Sequence, residues 1–145
     1  MKLQIVMSML SVKKNSQIFS YRVYYEDTDA GGVVYYANYL KFYERARSDF
    51  LRELNISQSN LANDQKIIFV VRKCQIEYHF PARLDDMLAV DVKISEINKV
   101  SLTMMQKITK SSQLISELTV ELVCLNSQTF KPTRLPKNLL DLIYV

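Results

Sequence analysis

The residues best suited to chemistry lie in one short stretch between Tyr24 and Tyr39. This stretch contains the carboxylate of Asp29, followed by Gly31 and Gly32, which are the only two glycines of the chain. Glycine lets the backbone adopt positive φ and lets a ligand approach closely. A helix is predicted to begin just beyond the glycines, and a helix N-terminus presents unpaired N–H groups and a partial positive charge. Together these features suit the binding of an acyl oxygen.

This arrangement favours acyl transfer to water. Backbone amides would stabilise an anionic tetrahedral intermediate, and one well-placed donor contributes ~10²–10³ in rate. Asp29 would either attack the acyl carbon or activate a water molecule beside it. The alternative is structural, because Asp27, Thr28 and Asp29 can form an Asx turn that caps the helix, with the glycines only shaping the turn. The spacing alone leaves both interpretations open.

Several other residues compete for a catalytic role. His79 is the only histidine, but it lies at a predicted strand end, where a structural or surface histidine is the simpler interpretation. Glu44 lies in the middle of a predicted helix, where a salt bridge or hydrogen bond is favoured over catalysis. Asp27 is expected to cap the turn. Two tyrosine pairs are interpreted as packing residues, with part of an acyl pocket as the alternative: Tyr24–Tyr25 and Tyr35–Tyr36.

Length and composition place the chain among globular proteins of one domain. It has 145 residues, of which 48% are hydrophobic and 23% charged, close to the average of globular proteins. The net charge of +4 favours an anionic small molecule and gives little support for nucleic acid. One histidine and two cysteines are too few for a structural zinc site, so no metal is expected. Cys74 and Cys124 are expected to be reduced thiols of a cytoplasmic protein.

Residues 1–16 are interpreted as an N-terminal extension, and residues 17–145 as a single domain. Gln4 and Ser8 interrupt the early apolar run, and two lysines follow where a signal sequence would need small residues. No stretch approaches the ~20 apolar residues of a membrane span. We therefore expect a cytoplasmic protein without a membrane span.

The elements that must position the site follow from hydrophobic periodicity. Apolar residues recur every three or four positions over residues 37–54, which predicts an amphipathic helix. A short helix is predicted over 58–63. Alternating patterns predict five strands: 18–25, 67–78, 87–97, 100–110 and 113–125. The order predicts an α+β domain in which one strand and a four-strand meander form a long antiparallel sheet around one central helix.

This architecture leaves sheet surface without a partner. A single helix covers only one face, and the long strands leave exposed edges. Pairing of edges between identical chains removes this exposure, so a homodimer or homotetramer is expected.

Over residues 21–136, roughly four-fifths of the chain, the sequence resembles the hot-dog-fold acyl-coenzyme A thioesterases. Within them it is most similar to the 4-hydroxybenzoyl-coenzyme A thioesterase class and its YbgC-type enzymes, which are associated with the Tol-Pal system. The resemblance is carried by four runs: VYYEDTDAGGVVY at 23–35, ANY at 37–39, FYERAR at 42–47 and FPARLDD at 80–86.

The resemblance implies hydrolysis of an acyl-coenzyme A (acyl-CoA) to a free acid and CoA, with no cofactor and no metal. Asp29 corresponds to the catalytic aspartate, and the backbone amide of Tyr36 to the donor that polarises the thioester carbonyl. YbgC-type members often carry histidine at the position of Tyr36, whereas the hydroxybenzoyl enzymes carry tyrosine, so only a backbone role is transferred. Further residues are expected to bind substrate: Gly31, Gly32, Val34 and Tyr35.

The phosphates of CoA lead us to expect basic residues at the mouth of the site. The candidates lie in predicted turns: Arg83, Lys99, Lys131 and Arg134. They would fit an anionic acyl carrier protein equally well. Two other functions stay open, a non-catalytic hot-dog module that binds acyl groups or acyl carrier protein, and a hydratase or dehydratase. Hydratases and dehydratases of this fold usually pair an acid with histidine, and no histidine lies near Asp29 in the sequence.

Overall fold

The computed structural model describes residues 16–141. Its strands are β1 (Ser16–Arg22), β2 (Ile67–Tyr78), β3 (Met87–Ile97), β4 (Ser101–Lys110) and β5 (Gln113–Asn126). Its helices are α1 (Tyr39–Glu53), α2 (Gln58–Asn60) and α3 (Lys137–Leu140). Short 3-10 turns cover Tyr25–Asp27 and Tyr36–Asn38, and a π turn covers Leu61–Gln65. The predicted strands and long helix are confirmed to within three residues at either end, whereas nearly all of the predicted extension lies outside the described residues.

The five strands form one antiparallel sheet in the order β1-β3-β4-β5-β2. The prediction of a four-strand meander is wrong for β2, which pairs with β5 at the far edge of the sheet. The cause is the segment 79–86, which crosses the end of the sheet before β3 begins. At the start of this segment the amides of His79 and Phe80 both donate to the carbonyl of Ile115, at 2.8 and 3.2 Å. This contact holds the start of the segment against β5.

Helix α1 packs across the sheet, as predicted, because both surfaces carry apolar residues at matching periods. The buried helix residues include Phe42, Tyr43, Ala46 and Phe50. The facing residues of β3 are Leu88, Val90, Val92 and Ile94. Burying each large apolar side chain contributes about 1.5–3 kcal/mol. The fold is therefore an α+β sheet around one central helix.

One polar side chain fixes the helix to the sheet. Gln106 of β4 is only 1% exposed. Its amide group donates to the Tyr43 carbonyl at 3.0 Å, and its side-chain oxygen accepts from Arg47 at 3.0 Å. Burial lowers the pKa of the Arg47 guanidinium, although the nearby Glu44 carboxylate opposes this shift.

The sheet has two ends with different surroundings. At the end that we call the loop end, residues 23–36 meet the crossing segment 79–86, where the Val34 amide donates to the Ala82 carbonyl at 2.8 Å. At the opposite end, the tail end, the β3–β4 turn meets residues 127–136. No helix within residues 16–141 has the length and apolar character needed to cross a membrane.

Candidate active site

A small hairpin over residues 27–35 forms the centre of the loop end. The Asp29 amide donates to the Val33 carbonyl at 2.8 Å, and the Tyr35 amide donates to the Asp27 carbonyl at 3.0 Å. The Gly32 amide closes the tip on the Asp29 carbonyl at 3.1 Å. Gly32 has a φ of +79°, a left-handed value that costs other residues roughly 1–2 kcal/mol. The hairpin therefore depends on this glycine.

The Asp29 carboxylate is exposed at the tip of the hairpin. Its Oδ1 accepts from the Gly31 amide at 2.8 Å, and no second partner is found within the described residues. The other oxygen is therefore available to a substrate or a water molecule. The Asx-type bond that the structural alternative required is present, yet it uses only one of the two oxygens. A Cβ atom on residue 31 would lie 3.1 Å from this Oδ1. Any residue larger than glycine would therefore crowd the Asp29 carboxylate in its present position.

Asp27 holds the base of the hairpin, as predicted for a turn-capping residue. It is 3% exposed, and its Oδ2 accepts from the Tyr24 amide at 2.9 Å. Its carbonyl also accepts from the side chain of Asn38 at 2.9 Å. These bonds connect the hairpin to the turn that precedes α1.

The backbone amide of Tyr36 is the first in the 3-10 turn Tyr36–Asn38. An amide at this position has no acceptor within its own helix, and no acceptor for it is found elsewhere in residues 16–141. The hairpin and this turn thus present a carboxylate oxygen and an unpaired N–H group at the same end of the sheet.

Tyr78 is a residue that sequence reasoning missed. Its hydroxyl donates to the Tyr36 carbonyl at 2.9 Å, so the last residue of β2 holds the turn that carries the free amide. Burial raises the pKa of Tyr78 and the neighbouring Tyr36 and Tyr39 add to the shift, so the hydroxyl remains a donor at neutral pH. Only a tyrosine at a predicted strand end was visible in the sequence.

Four tyrosine rings line this region. The prediction of packing is wrong for Tyr24 and Tyr25, which are 63% and 81% exposed, whereas Tyr35 and Tyr36 contact one another. The ring centroids of Tyr35 and Tyr36 lie 4.9 Å apart, and those of Tyr36 and Tyr78 lie 6.4 Å apart. Tyr39 meets Tyr78 at 5.3 Å. The Tyr39 hydroxyl accepts from the Ala82 amide at 3.0 Å, and burial raises its pKa. Tyr35 and Tyr36 are 44% and 63% exposed, so their rings are accessible to an acyl group.

The other predicted substrate-binding residues divide between the two ends. Val34 is 4% exposed, so its side chain belongs to the core and supports the hairpin from below. Arg83 forms a β-bridge with Val33 and lies at the loop end. Lys99 and Arg134 are exposed at the tail end, where the Leu135 amide donates to the Lys99 carbonyl at 2.9 Å.

The separation of the two ends corrects one expectation. Strand β3 has 11 residues, and at ~3.3 Å per residue it spans about 35 Å. Within one chain, Lys99, Lys131 and Arg134 therefore do not lie at the mouth of the site formed by Asp29.

The two rival residues have partners of their own. Glu44 accepts from the Ser48 hydroxyl at 2.8 Å, which is the hydrogen-bonding role that the sequence favoured. His79 Nε2 lies 3.1 Å from Glu117 Oε2. Both cysteines are free, and burial raises the pKa of the Cys124 thiol to about 11.

Comparison with known proteins identifies the family and the fold of the chain. Residues 23–143 match the family model of the thioesterase-like superfamily. The acyl-CoA thioesterase YbgC of Haemophilus influenzae is 43% identical over 123 residues, covering 85% of this chain and 90% of that protein. An acyl-CoA thioester hydrolase YbgC of Escherichia coli is 46% identical over 128 residues, covering 86% and 95%. The crystal structure of a probable thioesterase from Bartonella henselae superposes with a TM-score of 0.80 at 37% identity, covering 83% of this chain and 99% of that one.

Proposed function

The chain belongs to the thioesterase-like superfamily, and from this premise we propose that it hydrolyses acyl-CoA thioesters to a free acid and CoA. The observation that carries the proposal is that an Asp29 oxygen and the Tyr36 amide, both without a partner within residues 16–141, are presented at the same end of the sheet. The two relatives described above, at 43% and 46% identity, are named as an acyl-CoA thioesterase and an acyl-CoA thioester hydrolase.

The proposed reaction uses these two groups in sequence. The thioester carbonyl oxygen accepts from the Tyr36 amide, so the negative charge that develops on it is stabilised. Asp29 then either attacks the carbonyl carbon, forming an anhydride that water hydrolyses, or takes a proton from the attacking water. In both routes the C–S bond breaks, the CoA thiolate leaves and takes up a proton, and the acyl group gains one oxygen. The proposal requires no metal and no cofactor.

A single turnover in ¹⁸O-labelled water tests the anhydride route. Through the anhydride, the first product receives its oxygen from Asp29 and is unlabelled when water attacks the aspartyl carbonyl. The first product carries the label when Asp29 is a general base or when water opens the anhydride at the substrate's acyl carbon, so an unlabelled first product identifies the anhydride.

We further propose that the enzyme is a homodimer, or a tetramer built from dimers, joined through β2. This strand has 12 residues, lies at the edge of the sheet, and exposes Val71 and Cys74. An edge of this length is a site for pairing with another chain. A two-fold axis through this edge makes the two β2 strands antiparallel. The tail end of one chain then lies beside the loop end of its partner.

This dimer changes the role of the distant basic residues. Lys99, Lys131 and Arg134 of one chain would face the Asp29 site of the partner, while Arg83 acts in its own chain. Neighbouring strands lie ~4.8 Å apart. The partner's β5, which leads to Lys131 and Arg134, therefore lies about two strand spacings from β2 of the first chain. We propose that these residues bind the phosphates of CoA. An acyl carrier protein, whose prosthetic group carries the same thioester, is the alternative substrate carrier.

The two free cysteines fit a reducing compartment, and we place the enzyme in the cytoplasm.

The test is the substitution Asp29→Asn, assayed by thiol release over acyl-CoA esters from short aliphatic to aromatic. The variant should fold normally and lose more than nine-tenths of turnover, a barrier change above ~1.4 kcal/mol. Glu44→Gln is the matched control, since it removes a carboxylate from the helix, and it should keep most activity. If Glu44→Gln is the inactive variant, the catalytic carboxylate is on the helix. If the native protein binds acyl-CoA without turnover on any ester, it is a binding module.

A further inference from the structure

The only histidine of the chain lies in a second cluster of polar side chains, on the face of the sheet opposite α1. Glu77 on β2 and Glu117 on β5 are paired across the two strands, and His79 follows β2. One ligand atom from each of the three residues lies within 4.8 Å of the others. His79 Nε2 is 3.1 Å from Glu117 Oε2 and 3.9 Å from Glu77 Oε2.

The local charges favour a bound cation. Two carboxylates directly opposite each other on neighbouring strands repel. Lys107 offsets part of this repulsion, since its Nζ lies 3.8 Å from Glu117 Oε1. Lys107 approaches a different oxygen from the one that faces His79, so Glu117 Oε2 remains available. With a neutral imidazole, the four side chains carry a net charge of −1, which a divalent cation would compensate.

We propose that Glu77, His79 and Glu117 form a binding site for a divalent transition-metal ion such as Zn²⁺. Imidazole and carboxylate ligands together suit zinc, whereas calcium and magnesium prefer oxygen ligands alone. Zinc ligands at ~2.0–2.1 Å in tetrahedral geometry lie about 3.3 Å from one another. The two distances to His79 bracket this value, and the glutamate oxygens lie within 4.8 Å of each other, so rotations of the glutamate side chains would bring the three ligands to zinc spacing.

The site would have three protein ligands and one open position. The side chains of His79 and Glu117 are 34% and 37% exposed, and Glu77 and Glu117 line a depression of about 480 Å³ on the same face. A water molecule or an anionic ligand would therefore occupy the fourth position. Lys107 would act as an outer-shell residue that orients the Glu117 carboxylate. None of the three ligands is among the residues assigned to the Asp29 site, and the proposal does not depend on the hydrolase activity.

The test uses untagged full-length protein, freed of metal and titrated with zinc sulfate by calorimetry. One Zn²⁺ should bind per chain, and Mg²⁺ should not compete. Because changes outside the first ligands already weaken metal binding ~10-fold or more, His79→Asn and Glu117→Gln should each weaken it by at least that factor. Cys74→Ser and Glu96→Gln are controls that should not, since they remove an exposed thiol and an exposed carboxylate elsewhere.

Proton NMR provides a second readout. The only imidazole gives one set of ring resonances, and these should shift with zinc at the same stoichiometry in a protein that stays folded. Absence of binding at millimolar zinc would overturn the proposal. It would also be overturned by binding that survives His79→Asn or disappears in Cys74→Ser, because the ligands would then be others.

Discussion

Mixed dimers provide the sharpest test of how the two ends of the sheet cooperate. In the proposed dimer, Asp29 of one chain works with Lys99 and Arg134 of the other. A chain with Asp29→Asn supplies intact basic residues, and a chain with Lys99→Glu and Arg134→Glu supplies an intact aspartate. Each homodimer is impaired, but each mixed dimer contains one complete site. Activity should therefore return when the two variants are combined.

The size of the effect follows from charge and statistics. At ~8 Å in water and low ionic strength, one pair of unit charges contributes about 0.5 kcal/mol. Reversing both cations opposite one phosphate changes the interaction by about four such contributions, roughly 2 kcal/mol or thirtyfold in kcat/KM. Random mixing of equal amounts makes half of the dimers mixed, so about one quarter of all sites are complete. We expect the unseparated mixture to recover about 25% of the wild-type kcat/KM per site, and purified mixed dimers, in which one of the two sites is complete, to recover about 50%.

The assay is thiol release from an acyl-CoA after the two variants are co-expressed with different tags and the mixed dimers are purified. A truncated thioester without phosphates is the control substrate, because the charge reversals should affect it little. For wild type, KM should rise with salt while kcat stays nearly constant, since salt screens exposed charges. If mixed dimers show no more activity than the average of the parents, the basic residues do not act across the interface. A monomeric mass at full activity would refute the dimer itself.

Three further substitutions test the hairpin and the contacts below it. Gly31→Ala should reduce kcat with little change in thermal unfolding, because its methyl group would meet the Asp29 Oδ1 at 3.1 Å; Gly32→Val should instead lower the melting temperature through the strain of its φ of +79°. Burial would raise the pKa of Asp86, but Lys110 at 2.7 Å and the Arg83 amide at 2.8 Å hold it below its ordinary value. These contacts therefore stabilise the fold at neutral pH, and this contribution is lost as the pH falls below about 4 through the lowered pKa. Urea unfolding should show Asp86→Asn to be destabilised by roughly 1–2 kcal/mol at pH 7, and the difference from wild type should shrink towards pH 3; a constant difference would contradict the assigned cause.

The secondary structure could be predicted because each element has a local signal. Apolar residues that recur with a 3.6-residue period over 37–54 form one face of a helix, which requires only an apolar surface to cover it. Helix α1 forms at Tyr39–Glu53, within those bounds. Strands β2 and β3 begin and end at the predicted residues, 67–78 and 87–97. The grouping of Asp29 and the two glycines in one turn could also be predicted, since a carboxylate and two glycines next to a helix start are contiguous in sequence; their catalytic role stays a prediction.

Strand order could not be predicted, because it depends on contacts between residues distant in sequence. The turns at 98–100 and 111–112 are short enough to force neighbouring strands to pair. The eight residues of 79–86 are long enough either to return beside β2 or to cross the sheet. The bonds from the amides of His79 and Phe80 to Ile115 decide between these paths, and they leave no pattern in the sequence.

The position of β2 then determines how much of the site one chain can build. With β2 beside β3, the far edge would belong to β5. With β2 beside β5, Tyr78 holds the Tyr36 carbonyl, and the same strand is the free edge open to a second chain. The strand that supports the unpaired amide is thus also the proposed dimer contact. A basic residue remote from Asp29 along the sheet can therefore still serve an Asp29 site, because two-fold pairing of this edge reverses the sheet of the partner.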